Sequence, residues 1–301
     1  MQKIFTNSYE PSGIVQLKDG QVLIADDDGL KPFSLWSVNS KSPFDTLHKS
    51  IKMTLSEPII DDLEALTTDL KDNIYAITSH SLDAQGKLKK KRCQFVCFKL
   101  KKAKIKNVLV INKLRQWLIK RYPQLLKRSA KIKKVQKRQG LNIEALAYDP
   151  NTKQLLIGFR SPLNKDHKAI IIPLQLSTNA STPDLFSNAL LKNQANKPIM
   201  LDLKGAGLRD FTYVPKLRGF LILSGSVCDS KKSTKLWFWQ RDKKLCRVRI
   251  KGIKKLGRAE GITPVTLHNK KEGIMLVMDD GDQDTAQGGH YLFIAYKHLK
   301  M

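Results

Sequence analysis

The chain lacks the short motifs that announce a chemistry. It has no Ser-His-Asp order, no Walker loop, no dinucleotide glycine pattern and no H-E-x-x-H pair. Among four cysteines there is no C-x-x-C, which argues against a structural zinc site. Cys93 and Cys97 fall four apart in one predicted strand, poorly placed for a disulfide, whereas Cys228 and Cys246 flank a predicted hairpin and could approach. No apolar run nears the roughly 18 residues a bilayer-spanning helix needs. The start, MQKIFTNSYE, has one lysine and only Ile4-Phe5 as an apolar core, which does not read as a secretory signal. Reduced thiols in a cytoplasmic monomer are the expectation, with a processed periplasmic form as the other reading.

Acid is missing from one long stretch. Residues 87–140 hold 21 Lys and Arg and no Asp or Glu, so of the +27 formal charge the other 247 residues carry only +6. The basic character belongs to a segment and not to the whole chain. Within it, Leu114, Trp117, Leu118, Tyr122, Leu125 and Leu126 fall at helical spacing, and Pro123 would kink or restart that helix. The pattern predicts a basic helical insertion over 107–140. Its cations, with Trp117 and Tyr122 between them, suit nucleic-acid binding through residues 87–140. They equally suit an anionic membrane surface, the steering of anionic small molecules, or a solvated helical lid.

The 301 residues, 41% of them hydrophobic, are enough for a sizeable core, and most fall into a repeat. Five times a short polar tag opens an apolar strand, and a second strand follows a tight turn later. The tags are Ser12 in EPSGIVQL, Glu64 in DLEALTTD, Glu144 in NIEALAYD, Asp210 in LRDFTYVP and Glu260 in AEGITPVT. Successive tags are 52, 80, 66 and 50 residues apart, and the path from Glu260 through the C-terminus back to Ser12 is 53. Four strand-like runs, rich in Val, Ile, Leu and aromatics, fill each interval except the last. That last unit lacks a fourth run, which Gln2–Thr6 can supply. Repeats of this length built from strands predict a β-propeller. The spacing gives an all-β, single-domain chain (1–301) of five four-stranded blades, or six if two units are merged. The N-terminal strand would close the last blade, and the excess in the 80-residue interval is the basic insertion.

In such a ring the second strand returns to the face where the first began. The tags would therefore neighbour Asp26-Asp27-Asp28, Ser79-His80, Arg160-Ser161, Ser224 and Asp279-Asp280. Converging carboxylates repel unless a cation is bound, and hard oxygen ligands favour Ca²⁺ or Mg²⁺. On this reading Glu64, Glu144, Asp210 and Glu260 hold the metal. Arg160 and Arg209 hold an anionic, phosphate-bearing small molecule, in a ligand-binding protein or a metal-assisted hydrolase whose base is His80 or a free carboxylate. Ser12, Asp26, Asp27, Asp279 and Asp280 complete the ligand-binding wall. The competing expectation is structural: acids at strand starts cap backbone N–H groups or pair with an arginine of the next blade, and Arg209 with Asp210 and Arg258 with Glu260 could be such pairs. Asp279-Asp280-Gly281-Asp282 lacks the twelfth-position Glu of an EF-hand. Trp36, Trp237 and Trp239 read as packing residues. A non-catalytic scaffold docking on nucleic acid or an acidic partner is the alternative function.

The segments GLNIEALAYD…LLIGFRSPL (140–163), GAGLRDFTYVP (205–215) and AEGITPV (259–265) resemble a bacterial β-propeller family known only as a domain of unknown function (family 3616). The resemblance spans the chain and implies a propeller of uncharacterised activity. The acid-Glu-Ala/Gly-apolar phrase is also similar to esterase-like phytase propellers, with Ala65 and Ala145 standing where those often carry Gly.

Overall fold

Five four-stranded antiparallel sheets make five blades. In a computed structural model, residues 3–5, 8–27, 31–38, 47–176, 186–192, 194, 196–228, 234–241, 243, 245–282 and 284–301 are described. Blade I is Pro11–Gln16, Val22–Asp26, Phe33–Val38 and Leu47–Met53, from the inside outward. Blade II is Leu63–Thr68, Ile74–Thr78, Phe95–Lys101 and Lys104–Ile111. Blade III is Asn142–Asp149, Gln154–Ser161, Ala169–Gln175 and Ile199–Leu201. Blade IV is Gly207–Val214, Gly219–Gly225, Lys235–Trp239 and Cys246–Arg247. Blade V is Ala259–Thr266, Glu272–Met278 and His290–Ala295, with Lys3–Ile4 as its outer strand.

The spacing argument for five blades and N-terminal closure therefore holds, and the six-blade reading drops out. Lys3 pairs with Tyr291 and Ile4 with His290. A second clasp joins the chain's end to blade IV, where Arg249–Ile250 pairs with Leu299–Lys300. Both clasps cover sheet edges that a linear array would leave open.

Each blade is packed on both faces, and this explains why the second strands read as unbroken apolar runs instead of alternating ones. Val22–Ala25, Leu155–Phe159 and Phe220–Leu223 are buried along their whole length. The core is five clusters, one in each seam between neighbouring blades. Trp36, Trp237 and Trp239 are buried in these seams, as packing residues should be. All four cysteines are free, so the Cys228–Cys246 approach is not realised as a disulfide.

The insertion is helical in short pieces: α1 (Leu114–Arg121), α2 (Pro123–Leu126) and α3 (Val135–Arg138), with a 3-10 turn at Ser129–Lys131. Pro123 opens α2, as its missing N–H predicts. Leu114, Leu118 and Leu126 are fully buried in the seam between blades II and III. Trp117 and Tyr122 pack against the same cluster, and the Tyr122 hydroxyl donates to the Asn196 carbonyl at 2.8 Å. Both half-buried rings thus help to hold the insertion against the seam. Arg115 staples the insertion down by donating to the carbonyls of His80 (2.9 Å) and Ala130 (2.8 Å).

The acid-free stretch is not one patch. Its strands run from the end of the ring where the tags lie to the opposite end and back. Lys87–Arg92 and the insertion therefore sit at the tag end, and the hairpin Lys99–Lys106 sits at the far end. Among the described residues no helix is long and apolar enough to cross a membrane.

Candidate functional site

Every inner strand carries a register shift near its start. It falls between Pro11 and Gly13, Leu63 and Ala65, Ile143 and Ala145, Leu208 and Asp210, and Ala259 and Gly261. A bulge inserts one residue and re-aims its side chain. The bulged residues are Ser12, Glu64, Glu144, Arg209 and Glu260. The blade IV tag is thus Arg209 and not Asp210, a one-residue correction that changes the ring from four carboxylates to three plus a guanidinium.

Asp210 occupies the position held elsewhere by Gly13, Ala65, Ala145 and Gly261, where inner strands approach closely. A Cβ on Gly13 would lie 3.0 Å from the Leu66 nitrogen. Asp210 is buried there and accepts the Ile262 N–H of blade V at 2.8 Å. Burial raises its carboxyl well above the usual range, against the pull of backbone bonds from Ile262, Phe211 and Leu146. It straps blade IV to both neighbours and does not face the funnel.

A cavity of about 1090 Å³ opens at the tag end of the ring. Of the expected residues, Glu64, Glu144, Glu260, Arg160, Arg209, Asp27 and Asp279 line it. The others do not. Ser12 is buried and donates to the Leu63 carbonyl at 2.5 Å, joining blades I and II. Asp26 is held by the Ser8 hydroxyl (2.5 Å) and Lys52 (2.7 Å). Asp280 accepts the His290 backbone N–H at 2.9 Å and its ring lies 3.0 Å away. Asp28 lies outside the described residues. His80 is fully buried behind the wall beside Arg115, with neither ring nitrogen bonded among the described residues, and burial pushes it down to about 3. It is a neutral core histidine, not a base in the funnel.

The lining is divided by charge. On one side Glu144 is paired: Arg160 Nη1 lies 2.8 Å from its Oε1, Asn142 Nδ2 donates to the same oxygen at 2.8 Å, and Arg209 Nη1 forms an ion pair with Oε2 at 3.3 Å, that oxygen having no hydrogen bond among the described residues. Arg209 also pairs with Glu260, and the nearby acids raise its guanidinium further. Gly225 makes room, since a Cβ there would lie 2.8 Å from Arg209 Nε. Burial still pushes Glu260 up to about 8, Arg209 notwithstanding. Arg160 is anchored by donating to the Ser226 carbonyl at 3.0 Å. Both arginines are thus engaged by ring acids, but in other pairs than the sequence suggested: among the described residues Arg209 does not pair with Asp210, nor Arg258 with Glu260.

Glu64 is different. Among the described residues it has no hydrogen bond or ion pair. Burial, then Glu144, Asp62, Asp27 and Glu260, raise its carboxyl well above the usual range. No group of three His, Cys, Asp or Glu among the described residues is arranged to hold a metal by itself.

The rim supplies residues the sequence reading did not assign. Asp62 takes Arg92 through both its oxygens, with Arg92 Nε donating at 2.8 Å. Lys133, Lys134 and Lys137 of the insertion line the cavity with Lys255 and Arg258. The insertion therefore overhangs the funnel. The stem of Lys133 packs on Gly86, where a Cβ would lie 2.8 Å from it. The signal for these cations was present in the 87–140 charge run, but which of them reach the funnel depends on how α2 and α3 fold back.

Residues 28–293 match the family described as "Protein of unknown function (DUF3616)", and the chain belongs to it. No curated protein sequence matches the chain. Among solved structures, the PQQ-bound aldose sugar dehydrogenase of Streptomyces coelicolor is 12% identical at a TM-score of 0.43, covering 100% of this chain and 98% of that one. A luciferin-regenerating enzyme is 7% identical at a TM-score of 0.45, covering 100% and 96%. Neither likeness bears on the chemistry of the funnel.

Proposed function

We propose that this member of the DUF3616 family binds an anionic, phosphate-bearing small molecule together with a divalent cation in the funnel, and that it hydrolyses a phosphoester there. One observation carries the reading. Glu64 is the ring carboxylate without a cationic partner among the described residues, and it is crowded by Asp27, Asp62, Glu144 and Glu260 under a rim of lysines. A cation relieves that crowding, whereas Glu144 and Glu260 already have theirs.

Glu64 and Asp27 would be the protein carboxylates on the cation, with ligand oxygens and water filling the remaining positions. That is the manner in which Mg²⁺ binds beside phosphates, and Ca²⁺ tolerates it too. The anion-holding role moves from Arg160 and Arg209, which are engaged, to Lys133, Lys134, Lys137, Lys255 and Arg258 on the rim. A cation held there would supply Lewis-acid polarisation of a bound phosphoryl group. Asp279 lines the same cavity, and burial raises its carboxyl, so it is the base assigned to the attacking water.

Thermal melting with MgCl₂ or CaCl₂, each with and without pyrophosphate, tests the binding claim. Stabilisation of the wild type that needs both components and is lost in Glu64→Gln supports it. No stabilisation, or the same stabilisation in both proteins, contradicts it. Turnover of p-nitrophenyl phosphate under those conditions tests the reaction separately.

A further inference from the structure

The hairpin at the far end of blade II is assembled against its own stability. Lys99 faces Lys106 and Lys101 faces Lys104 as direct cross-strand partners, with Leu100 opposite Ile105 between them. Like charges directly opposite one another destabilise a strand pair. The two turn residues, Lys102 and Ala103, both take positive φ, 51° and 56°. This is the two-residue turn that Asn-Gly normally fills, because a Cβ disfavours the left-handed region. Leu100, Ala103 and Ile105 pack on the seam between blades I and II, so the four rung lysines share the opposite, outward face. Lys101, Lys102, Lys104 and Lys106 are exposed, and none of the five lysines has an acidic partner among the described residues.

We infer that this hairpin is a docking element for the phosphate backbone of double-stranded nucleic acid, independent of the funnel at the other end of the ring. Rungs two residues apart set lysine pairs about 7 Å apart along the strands and about 5 Å across them, a compact array on a two-stranded ribbon. A two-stranded ribbon is also an element that a major groove admits. No large apolar side chain is exposed on the hairpin, so it has no wedge with which to enter a lipid interface. Nothing on it reads base edges, so binding is sequence-independent and driven by counterion release.

The test uses the full chain and a fluorescein-labelled 20-base-pair DNA duplex, followed by anisotropy from 50 to 200 mM NaCl. Five lysines predict a fall in affinity of about 500-fold over that range. The double variant Lys101→Glu, Lys106→Glu turns both rungs into opposite-charge pairs. It should bind at least about 10-fold more weakly while melting no lower than the wild type. Lys127→Gln with Lys131→Gln, at the other end of the ring, should change affinity less than about threefold. The inference is overturned if the wild type does not bind the duplex, or if the two double variants lose affinity equally. It is also overturned if the hairpin variant melts lower, or if the hairpin lysines serve phosphatidylserine vesicles but not the duplex.

Discussion

Arg209 Nη1 lies 3.3 Å from Glu144 Oε2 and also pairs with Glu260, so one guanidinium ties three blades together at the axis. Arg209→Met leaves two largely buried carboxylates without it and should lower stability by about 3–5 kcal/mol in urea unfolding at pH 7. Arg209→Lys should recover only part of that, because one ammonium lacks the planar fork that reaches both acids. A loss under about 1 kcal/mol would mean that the pair is cosmetic.

The Glu64 carboxyl is raised in the folded protein, so the folded state keeps a proton that the unfolded chain has released. Stability therefore falls as pH rises above the ordinary glutamate range toward the folded value. Glu64→Gln removes this dependence. Its melting temperature relative to the wild type should climb between pH 4.5 and pH 8. Parallel curves for the two proteins would contradict the crowding at Glu64.

His80 works in the opposite sense. It is held neutral down to about 3, while the unfolded histidine takes up a proton near 6.5. The wild type should lose about 2 kcal/mol from this residue alone between pH 7.5 and pH 5. His80→Gln should lack that slope while leaving the response to Mg²⁺ and pyrophosphate intact. A lost response would put His80 back into the site.

The overhanging lysines give a kinetic and salt signature. Lys133→Glu with Lys134→Glu should weaken pyrophosphate binding and flatten its salt dependence, with the melting temperature within about 2 °C of wild type. Unchanged binding would reduce the overhang to a solvated cover.

The ring was legible in the sequence because closure depends on counting. Tag spacing and the missing fourth run in blade V both survive any local misreading. The site was less legible because it depends on a one-residue register. In each inner strand the large apolar residue stands two places after the bulge: Ile14, Leu66, Leu146, Phe211 and Ile262. Aligning on Phe211 selects Arg209, whereas aligning on acids selects Asp210, which is a strap. Asp62 and Arg92 were hidden for another reason. They belong to connections between strands, Asp62 just before the inner strand of blade II and Arg92 at the end of a 3-10 turn (Lys90–Arg92), whose path is set by packing and not by periodicity. The charge run on 87–140 was plain in the sequence, but its division between the two ends of the ring follows from strand direction.

The most direct measurement is calorimetric titration of MgCl₂ into protein with pyrophosphate at pH 7, repeated in buffers of different ionisation enthalpy. A cation on Glu64, whose carboxyl is raised, predicts wild-type binding with net proton release and no binding to Glu64→Gln. No binding to the wild type, or equal binding to both proteins, would contradict a cation site at Glu64.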